Sequence, residues 1–271
     1  MFLKFKNINF LALKTAMSKM KVFHSIQDFI TYRDSFKNDI KIGFVPTMGA
    51  LHSGHAALIK RGSQENDLAV LSIFVNATQF NNKEDLEKYP RTWENDLILA
   101  EASGAQVVLS PRFAEIYPDN YRYILSENSF SKMLCGTSRP GHFNGVLTIV
   151  LKLLLITRAN KAYFGEKDFQ QLKLIQDMTA ALFLKTEIVA CATVRASDGL
   201  ALSSRNARLT LAGRKKAPLI YKTLLEYSDL EKAALFLKSQ GIELEYFEEH
   251  FGRRFIAGTI DGVRLIDNVA L

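Results

Sequence analysis

The stretch VPTMGALHSGHAALI, Val45 to Ile59, follows the short β-rich run Ile42 to Val45 and precedes a helical pattern over Ala56 to Asn66. Pro46 stops the strand, and Gly49 and Gly54 bracket a loop. The next run, LAVLSIFV (Leu68 to Val75), is apolar without alternation, which predicts a strand buried on both faces and therefore central. A helix over Thr92 to Ala102 and a strand at Gln106 to Leu109, ended by Pro111, complete the repeat. From Phe143, apolar residues at Val146, Ile149, Val150, Leu153 and Leu154 mark one face of a helix. A strand at Lys161 to Phe164, a helix over Asp168 to Leu182 and a strand at Thr186 to Val194 follow. This alternation predicts an α/β fold, a parallel sheet wrapped by helices. Beyond about residue 192 the pattern changes to helices over Leu211 to Tyr227 and Leu230 to Gln240 and short strands around Phe255 to Ile260 and Val263 to Ile266. The expected organisation is an N-terminal extension (1–20), a large parallel-sheet domain (21–191) and a small α+β domain (192–271).

Composition agrees with a globular chain: of 271 residues, 48% are hydrophobic and 23% charged, which excludes a disordered polymer. The net charge of +7 is misleading, because five lysines and no acids fall in the first 21 residues, leaving the body near neutral. A nucleic-acid surface is therefore not expected, while a local basic pocket for an anion is compatible with the sum. Cys135 and Cys191 lie far apart with no His or Cys cluster nearby, which suits reduced thiols in a cytoplasm better than a disulfide framework. The longest apolar run, Leu147 to Ile156, is interrupted by Lys152 and is too short to span a bilayer. The first 20 residues mix Lys with Phe and Leu and lack a cleavage signal, so they are expected to lie outside the fold.

Several polar residues fall where a parallel sheet presents its ligands. His52 and His55 sit at the entry to a helix, whose free N–H groups and positive dipole end attract an anion, with Gly54 permitting close backbone approach. Two imidazoles there can donate to phosphate oxygens and stabilise charge on a departing pyrophosphate. The alternatives are simple helix capping, or a zinc site for which no further ligand has suitable spacing. Asn76 and Gln79 follow a buried strand at its carboxyl edge and suit a substrate with hydroxyls, although Asn is also a common turn residue. Lys167, in GEKDFQQ, is a compact cation just beyond a strand, unless that triplet is only a solvated helix start. Ser203, Ser204 and Arg205 offer two hydroxyls and a guanidinium fork for phosphate oxygens, or else a turn that caps a helix.

Six ordered blocks carry a resemblance: VPTMGALHSGH, SIFVNATQF (72–80), YPRT (89–92), RPGHFNGVLTIVLKLL (139–154), FGEKDFQQL (164–172) and DGLALSSRN (198–206), with VRLIDN (263–268) near the end. Together they resemble the pantothenate synthetase family, AMP-forming ligases that join pantoate to β-alanine. The resemblance implies a Rossmann-like nucleotidyltransferase domain with a small C-terminal domain. It implies ATP binding by Met48, His52, His55, Gly165, Lys167, Asp168, Val194, Leu202, Ser203, Ser204 and Arg205, with His52, His55 and Lys167 catalytic. Asp168 would bind the ribose, and the Ser-Ser-Arg loop the β- and γ-phosphates. Gln79 and Gln171 would bind pantoate, with Asn76, Arg139 and His142 lining the pantoate and β-alanine side. Mg²⁺ as the ATP counter-ion, a homodimer and a cytoplasmic location are further implications; neither nucleic acid nor membrane is an expected partner.

Three positions depart from the family pattern: Ala77 and Ala192 replace a usual proline and Leu202 a usual methionine, which loosens loops or reshapes the adenine pocket without removing a polar group. Only about 80 residues follow Cys191, which bears on closure and assembly more than on chemistry. Two other functions remain open on the sequence: an H-x-G-H nucleotidyltransferase acting on a different acid, and a catalytically silent nucleotide-binding protein. Deleting residues 1–19 is expected to leave turnover and melting unchanged; a large loss of either makes the segment structural.

Overall fold

The computed structural model describes residues 20–36 and 39–271, so the extension expected over 1–20 lies outside it except for Met20, which packs against the core. The chain runs β1 (Lys21–Phe23), α1 (Ile26–Asp34), β2 (Ile42–Thr47), α2 (Ser53–Glu65), β3 (Leu68–Ile73), α3 (Trp93–Ala102) and β4 (Val107–Leu109). It continues through α4 (His142–Thr157), β5 (Lys161–Gly165), α5 (Phe169–Ala181) and β6 (Glu187–Cys191), then α6 (Leu211–Lys216), α7 (Pro218–Glu226) and α8 (Leu230–Ser239). Three strands, β7 (Glu243–His250), β8 (Arg253–Ile260) and β9 (Val263–Ala270), end it.

Six strands form one parallel sheet in the order β1-β4-β3-β2-β5-β6. Every residue of β3 is buried, which places it centrally as its unbroken apolar run requires. The strand order reverses between β2 and β5, the position where open α/β sheets bind ligands at their carboxyl edge. Pro46 shapes that edge in a way the sequence reading missed. The strand does not stop there but continues to Thr47, paired with β3 along its whole length. Ile42 faces Asn160 through both backbone groups, and the two-residue period of a strand turns Pro46 to the same side, towards β5. Lacking an N–H, Pro46 has no ladder bond to give there. Pairing of β2 with β5 ends at Phe44, and the carboxyl halves of the two strands part to leave a crevice.

Helices cover both faces of the sheet. Helix α4 buries Val146, Ile149, Val150, Leu153 and Leu154, the face its periodicity marks. Its Gly145 packs directly on the turn after β3: a Cβ there would lie 2.6 Å from the Thr78 carbonyl oxygen and 2.7 Å from the Gln79 nitrogen. A second core, built on Ile220, Leu224, Leu237, Ile256 and Val263, joins α7 and α8 to the antiparallel sheet β7-β8-β9. Here the expectations were incomplete. The helix expected over 211–227 is two helices, divided at Ala217 and Pro218 because Pro cannot donate to the preceding turn. Strand β7, ELEYFEEH, was not anticipated: it is an edge strand whose alternation is masked by exposed acids. The large-to-small fit at Gly145 sets an expectation. Gly145→Ala is expected to cost about 1 to 3 kcal/mol of stability through overpacking, read by denaturation. Unchanged stability would contradict the contact.

Candidate active site

A cavity of about 240 Å³ opens where β2 and β5 part, and it draws its walls from the ends of β2, β3, β5 and β6 and from the start of α2. Fourteen of the sixteen residues singled out by sequence line it: Met48, His52, His55, Asn76, Gln79, Gly165, Lys167, Asp168, Gln171, Val194, Leu202, Ser203, Ser204 and Arg205. Arg139 and His142 line a smaller adjoining cavity of about 50 Å³, which shares Lys167, Asp168, Gln171 and Arg205 with the first.

His52 is the N-cap of α2, which starts at Ser53, three residues before the expected helical start. The Gly54 N–H donates to His52 Nδ1 (3.1 Å), and the His52 N–H donates to His55 Nδ1 (3.3 Å). An imidazole that accepts at Nδ1 carries its proton on Nε2 when neutral, so the capping bonds fix the tautomer of both rings. The ring centroids lie 4.1 Å apart. Burial lowers the His55 pKa to about 3, with the neighbouring His52 adding to the effect, and burial followed by Lys167 lowers that of His52. Both rings are thus neutral Nε2–H donors near pH 7. Gly54 allows this arrangement, since a Cβ there would stand 2.8 Å from the His52 ring. The loop before the cap is held by Asp96, only 3% exposed, whose carboxylate accepts from Ala50 N (2.9 Å), Leu51 N (2.8 Å) and Thr92 Oγ1 (2.9 Å).

On the amide side, Asn76 is 1% exposed and its amide is used up within the protein. Its Nδ2 donates to Gln79 Oε1 and to the Gly145 carbonyl (both 3.1 Å), and its Oδ1 accepts from Tyr117 (3.0 Å) and Thr78 (2.9 Å). Asn76 therefore orients Gln79, whose Nε2 meets Met48 Sδ at 3.2 Å. Gln79 also receives bonds at its carbonyl from His142 Nδ1 (2.8 Å) and Arg139 (3.3 Å). His142 is the opposite tautomer to the cap histidines: it donates from Nδ1 and accepts from Arg139 at Nε2 (3.1 Å). Burial, then Arg139, lowers its pKa to about 3; burial, then Arg205, lowers that of Arg139 to about 10. Gln170 is a buried structural amide bonded to Cys135, Phe130 and Met133, whereas its neighbour Gln171 faces the cavity.

On the cation side, Lys167 is 17% exposed and lies in a single 3₁₀ turn, Glu166–Asp168, between β5 and α5, with its ammonium 3.7 Å from Asp168. In the same cavity, Ser203 caps a second 3₁₀ turn, Ser204–Arg208, by accepting from Arg205 N (3.3 Å). Tyr89 shares a hydrogen bond with Ser204. Asp85 accepts from Arg205 (3.0 Å) and Arg208 (2.8 Å), docking this loop on the segment after β3. Burial opposes the Asp85 charge, but the two guanidiniums outweigh it and hold the carboxyl below its usual range. Among the described residues no cluster of three His, Cys, Asp or Glu side chains is arranged to hold a metal.

Residues 21–270 match the Pantoate-beta-alanine ligase family model. The chain belongs to the pantoate-beta-alanine ligase family. It is 52% identical to the pantothenate synthetase of Bdellovibrio bacteriovorus, covering 93% of this chain and 99% of that protein, and 48% identical to that of Legionella pneumophila, covering 93% and 100%. Among solved structures, the Francisella tularensis pantoate-beta-alanine ligase complexed with beta-gamma ATP and beta-alanine matches with a TM-score of 0.89 at 43% identity, over 93% of this chain and 98% of that one. The Thermus thermophilus pantothenate synthetase matches with a TM-score of 0.83 at 35% identity, over 93% and 99%. The brevity of the region after Cys191 is thus shared with these ligases, which match over nearly their whole length.

The sequence reading passed over Asp85, Asp96 and Tyr89 of this ligase, although YPRT contains the last of these. No helix among the described residues is long and apolar enough to cross a membrane. The neutral buried imidazoles carry a pH signature. The unfolded chain takes up protons below about pH 6.5, while folded His55 and His142 refuse them until about pH 3. The unfolded state binds more protons in that window, so stability is full above it and falls as pH drops, by up to about 1.4 kcal/mol per pH unit for each ring. His142→Gln is expected to lose less stability than the parent between pH 6.5 and 4.5 in denaturant titrations; parallel losses would contradict a neutral buried His142.

Proposed function

We propose that the chain condenses pantoate with β-alanine at the expense of ATP, through a pantoyl adenylate, releasing AMP and pyrophosphate. The observation that carries this reading is the convergence in one cavity of a neutral histidine pair at a helix N-terminus, the Gln79 and Gln171 amides, and the Lys167 and Ser-Ser-Arg cations and hydroxyls. In the first step a pantoate carboxylate oxygen attacks the α-phosphorus in line and pyrophosphate leaves. His52 and His55 donate Nε2–H to phosphate oxygens, and Lys167, Ser203, Ser204 and Arg205 take up the developing charge. Met48, Gly165, Val194 and Leu202 frame the nucleotide, and Asp168 accepts from the ribose. Gln79 and Gln171 hold pantoate, with Asn76 acting through Gln79.

In the second step the neutral amine of β-alanine attacks the acyl carbon and AMP leaves. Arg139, half-buried with no carboxylate salt-bridge partner among the described residues and steadied by His142, suits a substrate carboxylate on this side. Mg²⁺ enters as part of the MgATP substrate, where it neutralises phosphate charge. Residues 192–271 serve as the small domain that covers 21–191 and shields the anhydride from water. A homodimer in the cytoplasm completes the proposal on the family resemblance.

AMP and pyrophosphate release from MgATP with pantoate alone, then with β-alanine added, tests this function, with the amide followed by mass. Turnover to pantothenate requiring both substrates is expected. Silence with every acid tested would sink the ligase reading in favour of a nucleotide-binding protein. Lys167→Ala is expected to lower adenylation by at least about 100-fold with melting preserved; near-normal turnover would remove Lys167 from the chemistry.

A further inference from the structure

The segment VRLIDN, Val263 to Asn268, has no task in the chemistry proposed for the site, yet its last two residues are among the most buried polar groups of the chain: Asp267 is 4% exposed and Asn268 2%. Groups at that depth must find hydrogen-bond partners, and theirs lie in two separate segments. Asp267 takes the guanidinium of Arg195 in a two-pronged pair, Oδ2 from NH1 (2.6 Å) and Oδ1 from NH2 (2.9 Å), while Oδ1 also accepts from the Asn268 N–H (2.8 Å). Arg195 lies over the Tyr221 ring, 3.6 Å from its centroid, and donates to the Gly199 carbonyl (3.1 Å). It bridges to Ala201 at the base of the loop that carries Ser203, Ser204 and Arg205, where Leu202 N donates to the Val194 carbonyl (3.0 Å).

Asn268 reaches the other way. Its Nδ2 donates to the carbonyl oxygens of Glu166 (2.9 Å) and Lys167 (3.0 Å), and its Oδ1 accepts from Arg253 Nε (2.7 Å). Arg253 in turn stacks 4.3 Å from the Phe169 centroid, against the first residue of α5, and faces Glu166 at 3.7 Å. Successive side chains of a strand point to opposite faces, so one dipeptide at the end of β9 grips the Lys167 turn with one residue and the root of the Ser-Ser-Arg loop with the next. These two segments both line the cavity and belong to different parts of the chain. Their spacing is set by β9.

We propose that Asp267 and Asn268 are positioning residues that fix the distance between Lys167 and the Ser203–Arg205 loop, and so tune adenylyl transfer without touching substrate. The proposal rests on the reading of those groups as phosphate ligands. For the small sheet the consequence is that β9 moves with the Lys167 turn as one body, so the cations that receive the triphosphate keep their spacing through any closing motion. Small displacements of positioned groups cost large factors in rate, and only the half-reaction that uses the phosphates would feel this one.

Asn268→Asp keeps the size and the acceptor for Arg253 while replacing both donors with a carboxylate against two carbonyl oxygens. Two reactions are compared: ATP–pyrophosphate exchange with pantoate, and amide formation from β-alanine and supplied pantoyl adenylate. Exchange is expected to fall at least about 10-fold in kcat, with amide formation within about 2-fold of the parent, a split that a general structural defect would not produce. Arg195→Lys, which breaks the two-pronged pair from the other side, is expected to give the same split and reads the proposal if Asn268→Asp does not fold. Parallel loss of both reactions in the folded variants, or no loss in either, would overturn it. Lys167→Ala separates the two layers. If it retains exchange, the phosphate reading fails; if it abolishes exchange while Asn268→Asp and Arg195→Lys behave as the parent, only the positioning role fails.

Discussion

A helix begins with backbone N–H groups that nothing inside the helix can accept, and at the start of α2 that shortage is met by the residues that make the site. His52 and His55 supply Nδ1 to the Gly54 and His52 amides. The bond that satisfies the backbone leaves each ring with its proton on the far nitrogen. Burial keeps both rings neutral, so the site holds two donors without carrying two charges before ATP arrives. Asp96 extends the same logic one turn upstream, since the amides of Ala50 and Leu51 meet its carboxylate. Capping and chemistry are alternative explanations of H-x-G-H only on paper; here the cap is what leaves each imidazole its Nε2–H to donate, as the proposed phosphate contacts require.

The crevice those donors face depends on an omission and a close approach. Pro46 withholds one ladder bond and β2 separates from β5 after Phe44, just where the strand order reverses. Gly145 lets α4 press on the turn after β3, and Asn76, bonded to the Gly145 carbonyl, then has the orientation to hold Gln79. The nucleotide and substrate sides proposed for this ligase are thus built by different elements around one gap. The chain beyond residue 192 is tied to that gap at several points, the Ser203–Arg208 loop by Asp85 with Arg205 and Arg208, and the C-terminal sheet by Asn268 with the Lys167 turn.

Much of this was legible in the sequence because it is local. The unbroken apolar run of β3, the helical face of α4 and the strand–loop–helix around His52 follow from periodicity and punctuation, and the ordered polar blocks name the cavity walls. What escaped depends on partners distant in the chain. Asp96 sits in a helix of mixed polarity, and nothing in WENDL distinguishes its buried acid from the exposed ones beside it. Asp85 is one acid among several in KEDLE, and only the fold brings it to Arg205. Strand β7 was hidden because the edge of a small sheet tolerates acids on its open side. Pro46 misled in the other direction: its missing N–H faces β5, and the ladder with β3 on the other side carries the strand on to Thr47.

The protonation of the two cap histidines decides whether the site works in this way, and side-chain ¹⁵N NMR of His52 and His55 reads it directly near pH 7, before and after addition of a non-hydrolysable MgATP analogue. Both rings are predicted to be neutral and protonated at Nε2, with Nδ1 in the acceptor range, and the Nε2–H signals are predicted to shift on nucleotide binding while Nδ1 remains an acceptor. A Nδ1–H tautomer in either ring, or Nε2–H signals indifferent to the nucleotide, would contradict it.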